Sequence, residues 1–188
     1  MHRKLSRSFY TRPTLVVARD LLGKYLVRRK GRQVLVGKIV ETEAYIGPND
    51  RAAHSFGGKV TKRNQIEYRT GGRVYIYLVY GMHWQFNITT GGEGEPECVL
   101  LRALELEEGA PTLANGPGKL CRWMGLDKSL YGEDLTQSPR LWVEGRGART
   151  RPRDIVAVPR IGIDYAGLHW ARKPWRFYLR GNPTVSKP

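Results

Sequence analysis

Long apolar runs are missing from this 188-residue chain. No stretch approaches the roughly 18 consecutive apolar residues that a membrane-spanning helix needs, so no membrane association is expected. Cysteine is scarce: Cys98 and Cys121 lie too far apart for a CxxC pair and are too few for a disulfide framework, which excludes a small disulfide scaffold. Together with a basic N-terminus, Met1 to Arg7, that no signal-type apolar run follows, this points to an intracellular protein with reduced thiols. His2, His54, His83 and His169 are scattered without HxxxH or His/Cys spacing, so neither a metal nor another cofactor is expected. Internal repeats and linker-like low-complexity segments are also lacking, and the length fits one domain spanning 1–188.

Acidic residues are the other shortage. Seventeen Asp and Glu face 32 Lys and Arg, a net charge of +15, with 22 Arg to 10 Lys. The planar guanidinium fork suits phosphate better than a point charge does, so the excess suggests a polyanionic partner. A merely soluble basic protein, such as a ribosome-associated one, satisfies the charge equally well. The layout is uneven. Residues 1–32 hold ten Lys/Arg and one acid, Asp20, whereas residues 93–108 hold six Glu and one Arg, Arg102. A second basic run, Arg146 to Arg153, reads as a mobile loop.

Periodicity predicts an α+β fold: a curved, mostly antiparallel sheet or open barrel with short flanking helices and a protruding β-hairpin. Residues 14–22 read as a helix with Thr14 as N-cap and Gly23 as stop. Strands are expected at 24–29, 34–43, 73–80, 83–89, 98–105, 141–144, 155–161 and 177–180, a helix at 117–124, and loop over 46–72. The strands 73–80 and 83–89 meet at Gly81-Met82, a tight hairpin tip.

Three segments carry candidate chemistry. Glu41 and Glu43 share one face of a strand end, with Asp50 and His54 just beyond, a plausible general-base arrangement. From spacing alone, a solvated strand end with outward charges is the simpler account. The hairpin is the stronger clue. Tyr75 and Tyr77 share one face, Val74, Ile76, Leu78 and Tyr80 the other, with Tyr80 at the tip, followed by Trp84 and Phe86. That is more aromatic surface than a half-buried strand requires; on a basic protein such rings can stack on bases, and a tip side chain can wedge into a base step. Ordinary strand packing, where Tyr is common, is the alternative. Asn115 to Leu120 opens a helix at Pro117, where backbone N–H groups and Lys119 suit a phosphate, without the Walker A spacing of a nucleotide hydrolase.

Taken together, Val40-Glu41-Thr42-Glu43-Ala44-Tyr45, Ala52-Ala53-His54-Ser55, Val74 to Met82, Asn87, Val99 to Glu105, Gly116 to Cys121 and Trp170 to Pro174 resemble the 3-methyladenine (alkyladenine) DNA glycosylases of the single-domain, hairpin-inserting type. The likeness runs in order from about Leu15 to Pro183. It implies Glu43 as the base that activates a water, with Arg102 and the backbone carbonyl of Ile161 holding that water. Tyr45, His54 and Tyr77 would sandwich the flipped base, and Asn87 and Leu100 would form the floor, Asn87 crowding the 2-amino group of guanine. Tyr80, with Met82 beside it, would enter the duplex, while Lys119, Lys59 and Arg63 are candidate phosphate ligands. Glu41 is expected to be structural. The chain departs from the family pattern at Phe56, Gly118 and the run His83 to Phe86, which bears on substrate range more than on the reaction.

The implied activity is monofunctional excision of damaged purines from double-stranded DNA by a monomer, at the nucleoid of a prokaryote or in the nucleus otherwise. A non-catalytic nucleic-acid-binding domain using the same basic face is the alternative. A carbohydrate glycosidase fits poorly, since a charge of +15 and an aromatic hairpin are little use toward a neutral sugar.

Overall fold

Strand alternation organises the molecule. The computed structural model describes residues 3–147 and 149–187; His2 and Ala148, the latter within the basic run, lie outside the described residues. In chain order come β1 (Arg3–Lys4), α1 (Arg7–Tyr10), α2 (Thr14–Leu21), β2 (Tyr25–Lys30), β3 (Gln33–Ile46), β4 (Val74–Val79), β5 (His83–Thr90), β6 (Glu97–Leu106), α3 (Pro117–Met124), β7 (Leu141–Gly145), β8 (Ile155–Val158), α4 (Leu168–Ala171) and β9 (Arg176–Leu179). The strands form one sheet in the order β1-β7-β2-β3-β6-β5-β4, with β9 joining β3 and β8 joining β9. Every pairing among these strands is antiparallel, and β1 and β4 do not meet, so the sheet is unclosed. The architecture is therefore α+β, and none of the described helices is long and apolar enough to cross a membrane.

One sheet face carries the core. Val74 and Ile76 of β4, Phe86 and Ile88 of β5, and Val99 and Leu101 of β6 pack with Val17, Ala18 and Leu21 of α2 and with Leu120, Cys121 and Met124 of α3. Each large side chain buried this way contributes about 1.5–3 kcal/mol relative to exposure.

Departures from the expected elements have local causes. Pro13, not Thr14, precedes the first turn of α2; the Thr14 hydroxyl instead meets Thr90 Oγ at 2.6 Å and tethers the helix to the sheet. The strand expected over 155–161 stops at Val158, because Pro159 has no N–H to continue a ladder. That early stop frees Arg160 and Ile161 to turn inward. The short elements β1, α1 and α4 carry no periodic signal long enough to read.

Candidate active site

The face opposite the core holds the candidate chemistry, and period two explains its membership. Glu43 and Tyr45 alternate with the core residue Ala44 on β3, as Tyr75 and Tyr77 alternate with Ile76 on β4. On β6, Cys98, Leu100 and Arg102 alternate with Val99 and Leu101. Cross-strand register aligns four of them in one row: Tyr75 opposite Asn87, Asn87 opposite Leu100, and Leu100 opposite Glu43. Three strand spacings separate Tyr75 from Glu43, about 14 Å. Over this row opens a cavity of about 750 Å³, lined by Tyr45, His54, Tyr75, Tyr77, Asn87, Leu100, Arg102 and Ile161 among others.

Glu43 is fully buried and does not itself line the cavity; its partners do. The Tyr45 hydroxyl donates to Oε2 at 2.9 Å, the Ile161 amide N–H donates to Oε1 at 2.8 Å, and Arg102 Nη1 lies 3.2 Å from Oε1. Ile161 thus orients the carboxylate through its amide. Burial, then the neighbouring Glu43 charge, holds the Tyr45 pKa well above that of an ordinary phenol, so Tyr45 stays a donor. Glu41 is equally buried and does not line the cavity: Oε1 accepts from Arg102 Nε at 3.2 Å and Arg176 Nη1 at 2.8 Å, and Oε2 accepts from the Ser186 N–H at 2.7 Å. Two carboxylates and two guanidiniums therefore balance, and Glu41 ties the C-terminal segment to the sheet. The β3–β6 register shifts between Ile39 and Glu41 and again between Glu41 and Thr42, so Arg102 falls between paired positions. Such an irregularity re-aims a side chain, and here one guanidinium reaches both acids.

A second buried pair holds the far wall. Arg160 and Asp50, both with fully buried side chains, meet in a two-point contact at 2.5 and 3.0 Å. Arg160 also donates to the Ala44 carbonyl at 3.0 Å and lies over the Tyr45 ring at 4.7 Å. The position of Ile161 against Glu43 is therefore set by its neighbour in the chain. Opposite, His54 Nδ1 is 2.6 Å from the Tyr75 hydroxyl, and its ring packs edge-on against Tyr77 at 4.6 Å. His54 is exposed as a residue, yet its ring is packed, and burial first, Arg63 second, lower its pKa. His54 is accordingly neutral at pH 7. Asn87 is fixed by its own bonds: Nδ2 donates to the carbonyls of Tyr75 and Gln85, each at 3.3 Å. Among the described residues no group of three metal-type side chains comes together.

Comparison with known proteins gives this constellation a family. The sequence pattern of methylpurine-DNA glycosylase matches residues 8–183. The DNA-3-methyladenine glycosylase of Homo sapiens is 42% identical over 206 residues, covering 97% of this chain and 68% of the human protein. The mouse protein of that name is 42% identical over 206 residues, covering 97% and 61%. A candidate 3-methyladenine DNA glycosylase of Desulfitobacterium hafniense is 45% identical over 204 residues, covering 98% of each chain. The chain belongs to the methylpurine-DNA glycosylase family. It is an enzyme of DNA repair, a glycosylase whose substrate is DNA.

The rim of the glycosylase cavity carries the hairpin. Tyr80 and Gly81 both have positive φ, 51° and 69°, and the Met82 N–H donates to the Val79 carbonyl at 3.1 Å, the backbone of a primed hairpin turn. Tyr80 is the one described non-glycine residue with positive φ, and it is 88% exposed beside Met82 at 71%. An aromatic side chain is thus held out from the body in a backbone conformation that costs about 1–3 kcal/mol. Lys119 and the N-terminus of α3 border the same cavity. Lys119, Lys59 and Arg63 are exposed and form no ion pair among the described residues, which leaves them open to phosphate. Lys119 Nζ does bond Asn115 Oδ1, at 2.8 Å.

Two departures from the family pattern turn out to be neighbours. A Cβ at Gly118 would lie 3.2 Å from His83 Cβ and Nδ1, so the glycine admits the histidine beside the hairpin tip. Phe56, by contrast, is exposed, with Arg51 5.8 Å from its ring, outside the cavity wall. Residues not singled out from the sequence also reach the cavity: Glu67, Gln85, Arg122 and Tyr165 line it, and Arg160, paired with the Asp50 noted above, braces it. Gln85 alternates with Phe86 and was legible from strand period. Glu67 sits in the stretch 46–72 read as loop, and Arg160 lies in the part of the expected strand 155–161 that does not form, past Pro159.

Proposed function

We propose that the protein is a monofunctional glycosylase of base-excision repair. A damaged purine, such as 3-methyladenine, 7-methylguanine, hypoxanthine or ethenoadenine, is flipped from duplex DNA and its N-glycosidic bond hydrolysed to leave an abasic site. The observation that carries this reading is the buried Glu43 carboxylate, held by two hydrogen-bond donors and the Arg102 guanidinium, behind an aromatic-walled cavity. A carboxylate offers about four lone-pair sites. Tyr45 occupies one on Oε2 and the Ile161 N–H one on Oε1, where Arg102 also pairs with the charge, leaving one site on Oε2 for a water. In the proposed reaction that water attacks C1′, Glu43 accepts its proton, and the base departs with the glycosidic electron pair. Arg102 and the Ile161 carbonyl are assigned to holding the water. Extrusion is required because C1′ cannot be reached within the stack. The base lies between Tyr45 on one side and His54 and Tyr77 on the other, with Leu100 and Asn87 beneath it; Asn87 crowds a guanine 2-amino group. Tyr80, flanked by Met82, fills the gap in the duplex.

One pocket and one wedge suffice, so the acting unit is a monomer and the domain 1–188 carries the whole reaction. Sequence-blind attraction to phosphates through Lys59, Arg63, Lys119 and the wider basic surface retains the enzyme on DNA at the nucleoid, or in the nucleus of a eukaryote, and weakens as salt rises.

A duplex containing one hypoxanthine tests the reading. Incubation followed by alkali is expected to cut the strand at the lesion, with no cut before alkali and no adduct trapped by borohydride. Binding without alkali-labile product would favour a non-catalytic DNA-binding domain, and a trapped adduct would overturn the monofunctional assignment.

His54 gives a second test. A neutral base needs a proton on leaving, and the lowered His54 pKa makes its protonated form available only as pH falls below the ordinary histidine range. Hypoxanthine excision is expected to rise toward acid pH, and His54→Ala to flatten that rise. An unchanged profile in the variant assigns the proton elsewhere.

A further inference from the structure

The most deeply buried acids of the described chain are Glu41, Glu43, Asp50 and Glu67, none more than 1% exposed. Three have arginine partners: Arg102 and Arg176 at Glu41, Arg102 at Glu43, Arg160 at Asp50. Glu67 has none among the described residues, and its Oε2 is buried without a hydrogen-bond partner. It belongs to a single turn, Gln65–Tyr68, packed against β4, β5 and β6, and it lines the base cavity.

The titratable side chains around it are neutral at neutral pH. Cys98 of β6, Tyr75 and Tyr77 of β4, and Tyr68 and Tyr131 all have pKa values raised by burial, and β5 offers the neutral Asn87. The cation acting on this group of rings is Arg63, 5.9 Å from the Tyr77 ring. An acid left without a counter-ion is costly in a core that only has to pack, and such rule-breaking concentrates at functional sites.

We propose that Glu67 is a specificity-determining residue of the base cavity, favouring flipped purines that carry a formal positive charge over neutral damaged purines. This rests on the glycosylase reading above. An N-alkylated purine such as 7-methylguanine brings into the cavity the counter-ion that Glu67 lacks. Burial pushes the carboxyl up to about 8, so in the empty cavity at neutral pH it is a protonated, hydrogen-bonding group. When a cation enters, the proton passes to solvent and the carboxylate faces the charge. A neutral base meets the protonated acid and gains nothing from its ionisation. The ionised fraction grows as pH rises through the carboxyl pKa, so excision of the cationic base should rise over that interval.

Single-turnover excision of 7-methylguanine and of hypoxanthine, each in duplex DNA and corrected for spontaneous base loss, tests this with the full chain. Glu67→Gln keeps the shape and neutral hydrogen bonding but cannot ionise. It is expected to slow 7-methylguanine excision about tenfold, the equivalent of one pKa unit, while hypoxanthine excision changes less than about twofold. The wild-type rise on the cationic base between about pH 7 and 9 should vanish in Glu67→Gln and persist in Glu67→Asp, which retains an ionisable group. Parallel loss on both bases, or an unchanged ratio between them, overturns the assignment of Glu67 alone. If the wild type excises neither base, the glycosylase reading and this inference fall together.

Discussion

Glu43→Gln is expected to lower single-turnover excision by about 10²–10⁴-fold, the range of a lost general base, while duplex binding stays close to wild type. The amide is nearly isosteric, and its oxygen can still accept from the Ile161 N–H that now bonds Oε1. Its nitrogen cannot accept a proton from water, and it presents a donor where Oε2 now accepts from Tyr45. Arg102 keeps its second acid, Glu41, at 3.2 Å, so the buried guanidinium is not stranded. The proposed function draws DNA affinity from other groups, the exposed Tyr80 and the cations Lys59, Arg63 and Lys119, so binding should not follow the rate. Quantifying alkali-labile product beside a binding titration separates the two. Excision by Glu43→Gln near the wild-type rate would remove Glu43 from the chemistry and reopen the choice of base.

Asp50→Ala should destabilise the fold by about 3–5 kcal/mol, because it leaves the Arg160 charge buried and unpaired. At this chain length that corresponds to a fall in Tm of roughly 6–20 °C. The aspartate does more than neutralise: its Oδ2 accepts from the Ile46 N–H at 3.2 Å and its Oδ1 from the Ala52 N–H at 3.0 Å, closing the turn that leads to His54. Loss of the pair also frees Arg160 from the Tyr45 ring and, through the chain, Ile161 from Glu43. Folded Asp50→Ala should therefore lose excision rate as well as stability. Chemical denaturation measures the first and single-turnover kinetics the second. A stability loss under about 1 kcal/mol would mean that water or rearrangement rescues Arg160, and the brace would carry less of the site than its burial implies.

Strand chemistry was legible early because alternation is local. The pattern Val74-Tyr75-Ile76-Tyr77 already separates a core face from an aromatic face, and the structure keeps that separation, with Val74 and Ile76 in the core and both tyrosines on the cavity. The hairpin tip was legible for the same reason. Glycine and proline punctuation identified 46–72 as irregular, yet nothing in that punctuation marks one glutamate there as buried and unpaired. The strand expected through Ile161 failed at Pro159, and that failure delivers Arg160 and Ile161 to the site. Arg160 and Asp50 are 110 residues apart, and no periodicity links positions so distant.

By itself the sequence determined the α+β class, the hairpin with its exposed tyrosine, the excess of arginine and the family resemblance, since side-chain period, turn chemistry and net charge depend on neighbours along the chain. Only the tertiary structure decided which carboxylates are paired and which is not. Glu41, Glu43, Asp50 and Glu67 are the same kind of acid in the sequence, but burial raises the cost of charge, and the distance to an arginine, set by register and loop closure, separates the three ion-paired acids from Glu67.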